Sequence, residues 1–257
     1  RDPDFKEAKE LKDQSLELGL ITLAVVGFEN ATNKSGLDKK VTAYALDALT
    51  SINDPFLKVI DRENFDLIIG EQQLGMSGVI DEETAVTAGN LIGAKTLLTG
   101  TVLTYGSTQG NLQKTVLTGY ESYRVKKLNK ETNKSYYETK YRTTNYTKYQ
   151  KKNTVNVSFQ YKITSLETGE VIKSKIIEDN MEDVMVYGMY DGDHSNLYPS
   201  RTGGAVNTNR NSKNELDRLL NGKKTISSTE ELSTDLMKDL SYKLSSDISS
   251  FIKNQVK

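Results

Sequence analysis

The chain has 257 residues, a formal net charge of −1, 36% apolar residues, no Cys, no Trp and a single His, His194. This apolar content is enough for a hydrophobic core, and the near-neutral charge gives no global case for nucleic-acid binding. The absence of Cys excludes disulfides, thiolate zinc sites and Cys nucleophiles, and a single His argues against His-based metal or triad chemistry. Composition therefore disfavours most enzyme classes.

The first hundred residues predict alternating helices and strands. Residues 4–18 have helical spacing, residues 20–28 are a continuous apolar run typical of a buried strand, and residues 37–51 have one apolar helical face. The other predicted elements are a polar loop at 29–36, a strand at 56–60, helices capped by Asp61 and Asp81, and a strand at 95–104. This order indicates an α/β layer with partly parallel strand pairing.

The second half predicts strands followed by a long helix. Apolar and polar residues alternate over 154–163, which is typical of a strand with one face on a core. Residues 167–170 (ETGE) predict a hairpin turn, with a return strand over 171–177. The polar, Gly-rich residues 191–213 predict a loop or mobile excursion, and residues 229–254 predict one amphipathic helix.

Together these elements predict an α/β fold. We expect a layered α/β domain, a mixed sheet flanked by helices, with a long β-hairpin excursion and a C-terminal amphipathic helix. The predicted segments are an N-terminal helix (1–19), the first part of the α/β core (20–108), an extended hairpin (109–153), further core strands (154–180), a second excursion or loop (181–225) and the C-terminal helix (226–257).

Four stretches of the sequence, in this order and spacing, carry a family resemblance. They are ITLAVVGFEN at 21–30, the run from Val59 to Val102, GYES at 119–122 and ITSLETGEVIKS at 163–174. With the terminal helix they cover most of residues 20–254, and the 59–102 run is the most specific part. The chain resembles the curli secretion channel family, the CsgG-like outer-membrane lipoproteins.

The resemblance implies a periplasmic α/β domain that forms homo-oligomeric rings. In the channel members each subunit sends two β-hairpins into the outer membrane, and the loop after the first strand narrows the pore. Related lipoproteins share the α/β domain without forming channels, and some regulate cell-wall synthases. We therefore expect a location in the periplasm or at the outer membrane, with an export signal and a lipidated Cys upstream of Arg1.

The resemblance places the first membrane hairpin at about 110–155, and residues 136–150 have the alternation that a barrel strand needs. The candidate membrane-facing residues, all on the uncharged parity, are Tyr137, Tyr141, Thr143 and Tyr149. This parity has no aliphatic residue, however, and the partner strand at 112–127 carries charge on both parities. Two alternatives stay open: a hairpin that spans lipid, or an amphipathic hairpin in water or against neighbouring subunits.

The same region is basic and rich in tyrosine. Residues 114–152 contain eleven Lys or Arg and three Glu, and eight of the fourteen Tyr lie between Tyr120 and Tyr161. Such a composition is compatible with binding acidic cell-wall polymer, lipid head groups or, less favoured, nucleic acid. A solvated hairpin whose Tyr and Thr reflect strand propensity has the same composition.

The loop at 29–36 (ENATNKSG) lies where the family has its constriction loop. The residues that would face the axis of a ring are Asn30, Thr32, Asn33, Lys34 and Ser35. This loop is shorter than the family's and has no aromatic residue, so a plain strand-to-helix connection explains it equally well.

Two further clusters have ordinary explanations. Asp191, Asp193 and His194 could hint at a metal site, but carboxylates in a Gly-containing loop are more typical of turns. Asp61-Arg62-Glu63 is typical of helix capping rather than of an acid–base pair. We therefore expect no metal, no cofactor and no catalytic residue.

The predicted function is a non-enzymatic CsgG-like component of an outer-membrane secretion or assembly channel, acting as a homo-oligomeric ring. The alternative is a soluble periplasmic accessory lipoprotein that regulates a cell-wall enzyme. The expected partners are copies of the chain itself, envelope or secreted proteins and, for the channel, the outer membrane.

Overall fold

The computed structural model describes residue 11, residues 19–61 and residues 95–255. Most of the predicted N-terminal helix, the helices predicted after Asp61 and Asp81, and most of the 59–102 run lie outside the described residues. The chain divides into two compact units. Unit 1 comprises Arg1–Gly106, Val155–Met181 and Ser233–Lys257, and unit 2 comprises Ser107–Thr154 and Glu182–Leu232.

Strands and helices alternate first, and long strands follow. The described residues contain eight strands: β1 (Ile21–Val25), β2 (Glu29–Asn30), β3 (Leu57–Asp61), β4 (Thr96–Gln109), β5 (Gln113–Leu128), β6 (Ser135–Ser165), β7 (Val171–Met189) and β8 (Leu197–Pro199). They also contain the helices α1 (Leu37–Thr50), α2 (Arg210–Leu220) and α3 (Thr229–Gln255), and a 3₁₀ helix at His194–Asn196.

The eight described strands belong to one open sheet. Its order is β3-β1-β4-β6-β5-β8, with β2 beside β4 and β7 beside β6. β1 is parallel to β3 and β4, whereas β5 is antiparallel to both β6 and β8. Parallel neighbours need a crossover connection, and α1 supplies one between β2 and β3. The predicted α/β class with a mixed sheet and flanking helices is confirmed.

Apolar periodicity builds the core of unit 1. The alternation predicted over 154–163 is confirmed, because Val157, Phe159, Tyr161 and Ile163 of β6 are buried. The helix predicted over 229–254 is confirmed as α3, with a buried stripe that repeats every four residues. That stripe consists of Leu236, Leu240, Leu244 and Ile248.

The turn after β1 is fixed by a shared hydroxyl. Phe28 N donates to Thr42 Oγ1 (2.8 Å), and the same hydroxyl donates to the Asp38 carbonyl within α1 (2.7 Å). The Phe28 ring meets the Phe159 ring edge-on, with centroids 5.4 Å apart. Gly100 leaves room for this ring, since a Cβ there would lie 2.2 Å from Phe28 Cε1.

Two elements differ from the sequence prediction. The return strand β7 continues to Met189, beyond the predicted end at 177. The loop prediction for 191–213 is wrong from Arg210 onward, where α2 begins. Leu216, Leu219 and Leu220 give α2 an apolar side at helical spacing, and the Asn209 side chain caps it by accepting from Asn211 N (2.8 Å).

Candidate functional site

The loop at 29–36 is held in one shape by its own side chains. Asn30 belongs to β2, where it pairs in parallel with Val102 of β4. Its side-chain oxygen accepts from Thr32 N (2.9 Å) and Thr32 Oγ1 (2.7 Å), and its amide nitrogen donates to the Lys34 carbonyl (2.7 Å). Gly36 then begins α1 in the left-handed conformation, with φ of 77°.

This network divides the five predicted loop residues into two groups. Asn30 and Thr32 are half-buried and hold the loop together. Asn33, Lys34 and Ser35 are exposed, so their side chains are the part of the loop that a binding partner could contact.

A bulge sets the register at the base of the hairpin formed by β5 and β6. Gly110 N donates to the Lys152 carbonyl (3.0 Å), and pairing continues at Gln113↔Gln150. The two residues between Gly110 and Gln113 therefore lie opposite the single residue between Gln150 and Lys152. A Cβ at Gly110 would come within 2.3 Å of the Lys152 carbonyl oxygen, which explains the glycine. The extra residue determines which parity of β5 points to each side of the hairpin.

The register gives the hairpin two faces. Pairing runs without interruption from Gln113↔Gln150 to Leu128↔Ser135. Because side chains alternate along a strand, even-numbered residues of β5 share a face with odd-numbered residues of β6. We call this face, from the pair Lys114↔Tyr149 to the pair Leu128↔Ser135, the tyrosine–threonine face, and the opposite one the helix face.

Helix α2 covers the base of the helix face and gives unit 2 an apolar cluster of its own. The cluster consists of Tyr146, Leu197, Leu216 and Leu220, with Leu117, Leu219 and Tyr190 packed beside it. The solvent side of α2 exposes Asn214, Glu215 and Arg218. α2 therefore buries the base of the helix face, at Gly119 and Tyr146, whereas Tyr136 and Arg142 farther along the same face are exposed. The outer surface of α2 is polar.

The tyrosine–threonine face contains no buried residue. The structure brings all four candidate residues together on it: Tyr137, Tyr141, Thr143 and Tyr149. Tyr137 is 65% exposed, whereas Tyr141 contacts Tyr198 of β8 edge-on, with centroids 5.3 Å apart. Tyr149 stacks on Tyr187 of β7 at 4.9 Å, and Lys114 Nζ lies 6.0 Å from the centre of the Tyr149 ring.

Charges are distributed unequally between the two faces. The two acidic residues of the strands β5 and β6, Glu121 and Glu138, lie on the helix face. Arg142 Nη2 pairs with Glu121 (2.6 Å) and Lys127 Nζ pairs with Glu138 (2.5 Å) on that same face. The hydrogen bond to Glu121 raises the pKa of Arg142, and the hydrogen bond from Lys127 lowers the pKa of Glu138.

The triplet with His194 is a turn. Asp193 accepts from Ser195 N (2.9 Å), Ser195 Oγ (2.7 Å) and Asn196 Nδ2 (2.9 Å), so it caps the 3₁₀ helix. The hydrogen bonds from Ser195 lower the pKa of Asp193. Among the described residues, no group of three His, Asp or Glu side chains is arranged to hold a metal ion.

The structure reveals a charged cluster in unit 1 that sequence reasoning missed. The Asp247 carboxylate of α3 accepts from the Tyr161 hydroxyl and pairs with Lys173 Nζ (2.9 Å) and Lys175 Nζ (3.0 Å). Desolvation raises the pKa of Asp247, but the three hydrogen bonds outweigh it and bring the pKa to about 2. Burial and the bond to Asp247 raise the pKa of Tyr161. The cluster ties β6, β7 and α3 together.

None of the helices in the part of the chain that the structure describes is both long and apolar enough to cross a membrane.

The sequence matches a family model over more than half its length. The model for the curli production assembly/transport component CsgG matches residues 4–202. The chain belongs to the CsgG family. The loop at 29–36 and the hairpin lie inside the CsgG match, whereas α2 and α3 follow its end. The helix that covers the hairpin therefore lies outside the stretch that carries the similarity to CsgG.

Solved structures similar to this CsgG family member share little sequence with it. Lipoprotein GNA1162 from Neisseria meningitidis is 11% identical, with a TM-score of 0.33, over 63% of this chain and 84% of that one. The LpoB C-terminal domain from Salmonella enterica is 15% identical, with a TM-score of 0.31, over 62% and 82%. A PelC dodecamer from Paraburkholderia phytofirmans is 9% identical, with a TM-score of 0.32, over 88% and 89%. These low TM-scores carry no argument about function. A comparison with curated proteins gives no match.

Proposed function

We propose that this CsgG family member is a non-enzymatic component of the cell envelope that works by assembling with copies of itself and with envelope proteins in the periplasm. We call this the accessory form: the hairpin of β5 and β6 stays outside the lipid. Family membership supports the envelope location and the self-assembly. The observation that carries the accessory form is the packing of α2 on the helix face.

The packing of α2 on the base of the helix face argues against a thin hairpin between lipid and a water-filled pore. If the helix face pointed to lipid, Glu215 and Arg218 on the outer side of α2 would enter the membrane. If it pointed to a pore, α2 would occupy the space beside the strands. With the helix face toward lipid, or toward an open pore, α2 would have to leave the cluster around Tyr146, and two buried Leu side chains would become exposed at a cost of roughly 1.5–3 kcal/mol each.

The tyrosine–threonine face is a poor lipid surface. Its centre, around the pair Tyr120↔Thr143, is flanked by Thr118, Ser122 and Asn145. Arg124 lies four residues from Tyr120, about 13 Å along the strand. The apolar band of a membrane barrel is about 25 Å tall, so a band centred on the pair Tyr120↔Thr143 would have Arg124 near its edge. Hydroxyl and amide groups lose hydration in hydrocarbon without gaining partners. These side chains suit water or a polar partner.

The loop at 29–36 fits a place at the axis of an assembly. Its internal hydrogen bonds preset its shape, and exposed Asn33, Lys34 and Ser35 would line the opening while Asn30 and Thr32 support them. Such an opening would be polar and lack aromatic side chains.

Vesicle flotation combined with sedimentation velocity tests this function. The purified full chain should remain at the bottom of a gradient with neutral phosphatidylcholine vesicles, should release no trapped dye, and should sediment as one defined homo-oligomer. A chain that stays monomeric at all concentrations would contradict the self-assembly, and flotation with dye release would contradict the accessory form.

The second candidate is the secretion channel, which the family name, a transport component, favours. In that role α2 must move away from the hairpin when the protein meets a membrane. Replacing Leu216 and Leu220 by Ser should then increase vesicle insertion, whereas in the accessory form the same variant should only lose stability. Recovery of an envelope enzyme by affinity capture from envelope extracts would support the accessory form.

A further inference from the structure

The tyrosine–threonine face carries positive charge without any negative charge. Its charged residues are Lys114, Arg124 and Lys126. The acids of β5 and β6 lie on the opposite face, where Arg142 and Lys127 already pair with them. In the described part of the chain, no carboxylate forms an ion pair with the three cations of this face. The face is therefore complementary to an anionic partner.

The space between the cations is aromatic and hydroxyl-bearing. Threonine side chains at 118, 139 and 143 and the Asn145 amide are exposed between the cations. Tyr141 is held by Tyr198, and Tyr149 is held by Tyr187, so these rings are fixed before any ligand arrives. Aromatic side chains that are already fixed lower the entropic cost of binding. Tyrosine rings pack against the C–H faces of sugars, and hydroxyl and amide groups replace the hydration of sugar hydroxyls.

We propose that the tyrosine–threonine face binds an acidic polysaccharide that lies along β5 and β6. The strand direction offers a long track, because Lys114 and Arg124 are ten residues apart, about 33 Å at the rise of a β-strand. The polymer places occasional carboxylates against the cations at both ends and its neutral sugar units over the tyrosines and threonines. This inference rests on the hairpin staying outside the lipid, as proposed above, but not on the oligomeric state.

The charge spacing favours a polysaccharide over nucleic acid. A DNA strand carries one phosphate about every 3.4 Å, which is roughly ten charges over the distance from Lys114 to Arg124. The face presents one cation at one end, two at the other and none between. A polymer with sparse carboxylates and many hydroxyls matches that distribution. Val116 and Leu128, the only aliphatic side chains of the face, are separated by five register pairs of the same face and provide no continuous apolar surface.

Binding of the full chain to immobilised hyaluronate, a linear polymer with one carboxylate per disaccharide, tests the proposal. Neutral dextran, single-stranded DNA and anionic phosphatidylglycerol vesicles serve as comparison probes. We expect binding to hyaluronate that weakens as salt rises and is absent for dextran. Absence of binding to hyaluronate, or tighter binding to DNA or to the vesicles, would overturn the proposal.

Matched double variants identify the face. Arg124→Gln/Lys126→Gln should weaken hyaluronate binding about tenfold, because two exposed charge contacts are lost. Lys140→Gln/Lys148→Gln removes the same charge from the helix face and should change affinity less than about twofold. Equal losses in both variants would show general charge attraction and would contradict a defined face.

Neighbouring tyrosines provide an aromatic test. Tyr137→Thr removes a 65% exposed ring from the tyrosine–threonine face, and Tyr136→Thr removes a 49% exposed ring from the helix face. Only the change at Tyr137 should weaken hyaluronate binding, by about threefold to tenfold. Because both rings are exposed, unchanged far-ultraviolet circular dichroism should show that each variant folds.

Discussion

At the residue scale, Asp247 shows how one carboxylate links the sheet of unit 1 to α3. It is four-fifths buried and receives the Tyr161 hydroxyl and two lysine ammonium groups. No sequence motif indicates this cluster, because Asp247 lies more than seventy residues along the chain from each of its three partners. Only the fold brings them together.

The depressed pKa of Asp247 predicts a stability loss in acid. The pKa is about 2 in the folded chain, against about 3.9 for an unperturbed Asp, so folding favours the charged form. This contribution is fully present above about pH 5 and is lost as the pH falls toward 2. Urea unfolding of wild type and Asp247→Asn should differ by roughly 2 kcal/mol at pH 7 and by little at pH 2.

Asp239→Asn provides the matched control for that comparison, since Asp239 is an exposed carboxylate of the same helix. Its effect should stay within about 0.5 kcal/mol at every pH. A constant difference between wild type and Asp247→Asn from pH 7 to pH 2 would contradict the proposed linkage.

The shared hydroxyl of Thr42 gives a second test at the residue scale. Thr42→Val should lower the free energy of unfolding by about 1–3 kcal/mol, because the buried Phe28 N–H loses its acceptor. Thr50 is the control: it also donates to a carbonyl four residues earlier in α1 but is exposed. If Thr50→Val costs as much as Thr42→Val, the bond to Phe28 has no special role.

At the element scale, α2 is the helix that packs on the hairpin and covers the base of its helix face. The leucine spacing that forms it is visible in the sequence, but the surrounding Asn, Ser, Gly and Arg residues favour a loop prediction over 191–213. The hairpin itself is easier to predict, because charged and uncharged residues alternate over 136–150, as the two faces of a β-strand require. Which face is covered depends on a partner helix more than sixty residues away, and local periodicity contains no such information.

Removing one leucine of α2 should destabilise unit 2. Leu220→Ala should cost roughly 2–5 kcal/mol, since Leu220 is 4% exposed in the cluster with Tyr146. Amide hydrogen exchange measured by mass spectrometry should then show faster exchange in 113–128 and 210–220. Arg218→Ala on the exposed side of α2 is the control and should leave exchange unchanged. Unchanged exchange in Leu220→Ala would mean that α2 does not hold the hairpin.

At the scale of the whole molecule, the CsgG match and the helices that follow it cover different parts of the chain. The family model covers residues 4–202 and assigns the chain to the CsgG family, a resemblance that the run at 59–102 and three shorter stretches already indicate in the sequence. Residues after 202 add α2, which covers the base of one face of the hairpin and leaves the hydroxyl-bearing, cationic face open. These additions favour an accessory component over a channel.

The most direct measurement is the solvent accessibility of the tyrosine–threonine face in membranes. The chain has no native Cys, so Thr143→Cys creates a unique thiol at the centre of that face. With the protein incubated with vesicles of outer-membrane lipid, a charged, membrane-impermeant maleimide should label this thiol as fast as it does in free solution. Protection of the Thr143→Cys thiol from the maleimide, together with quenching of an attached fluorophore by bromolipid, would place the hairpin in the bilayer and contradict the account.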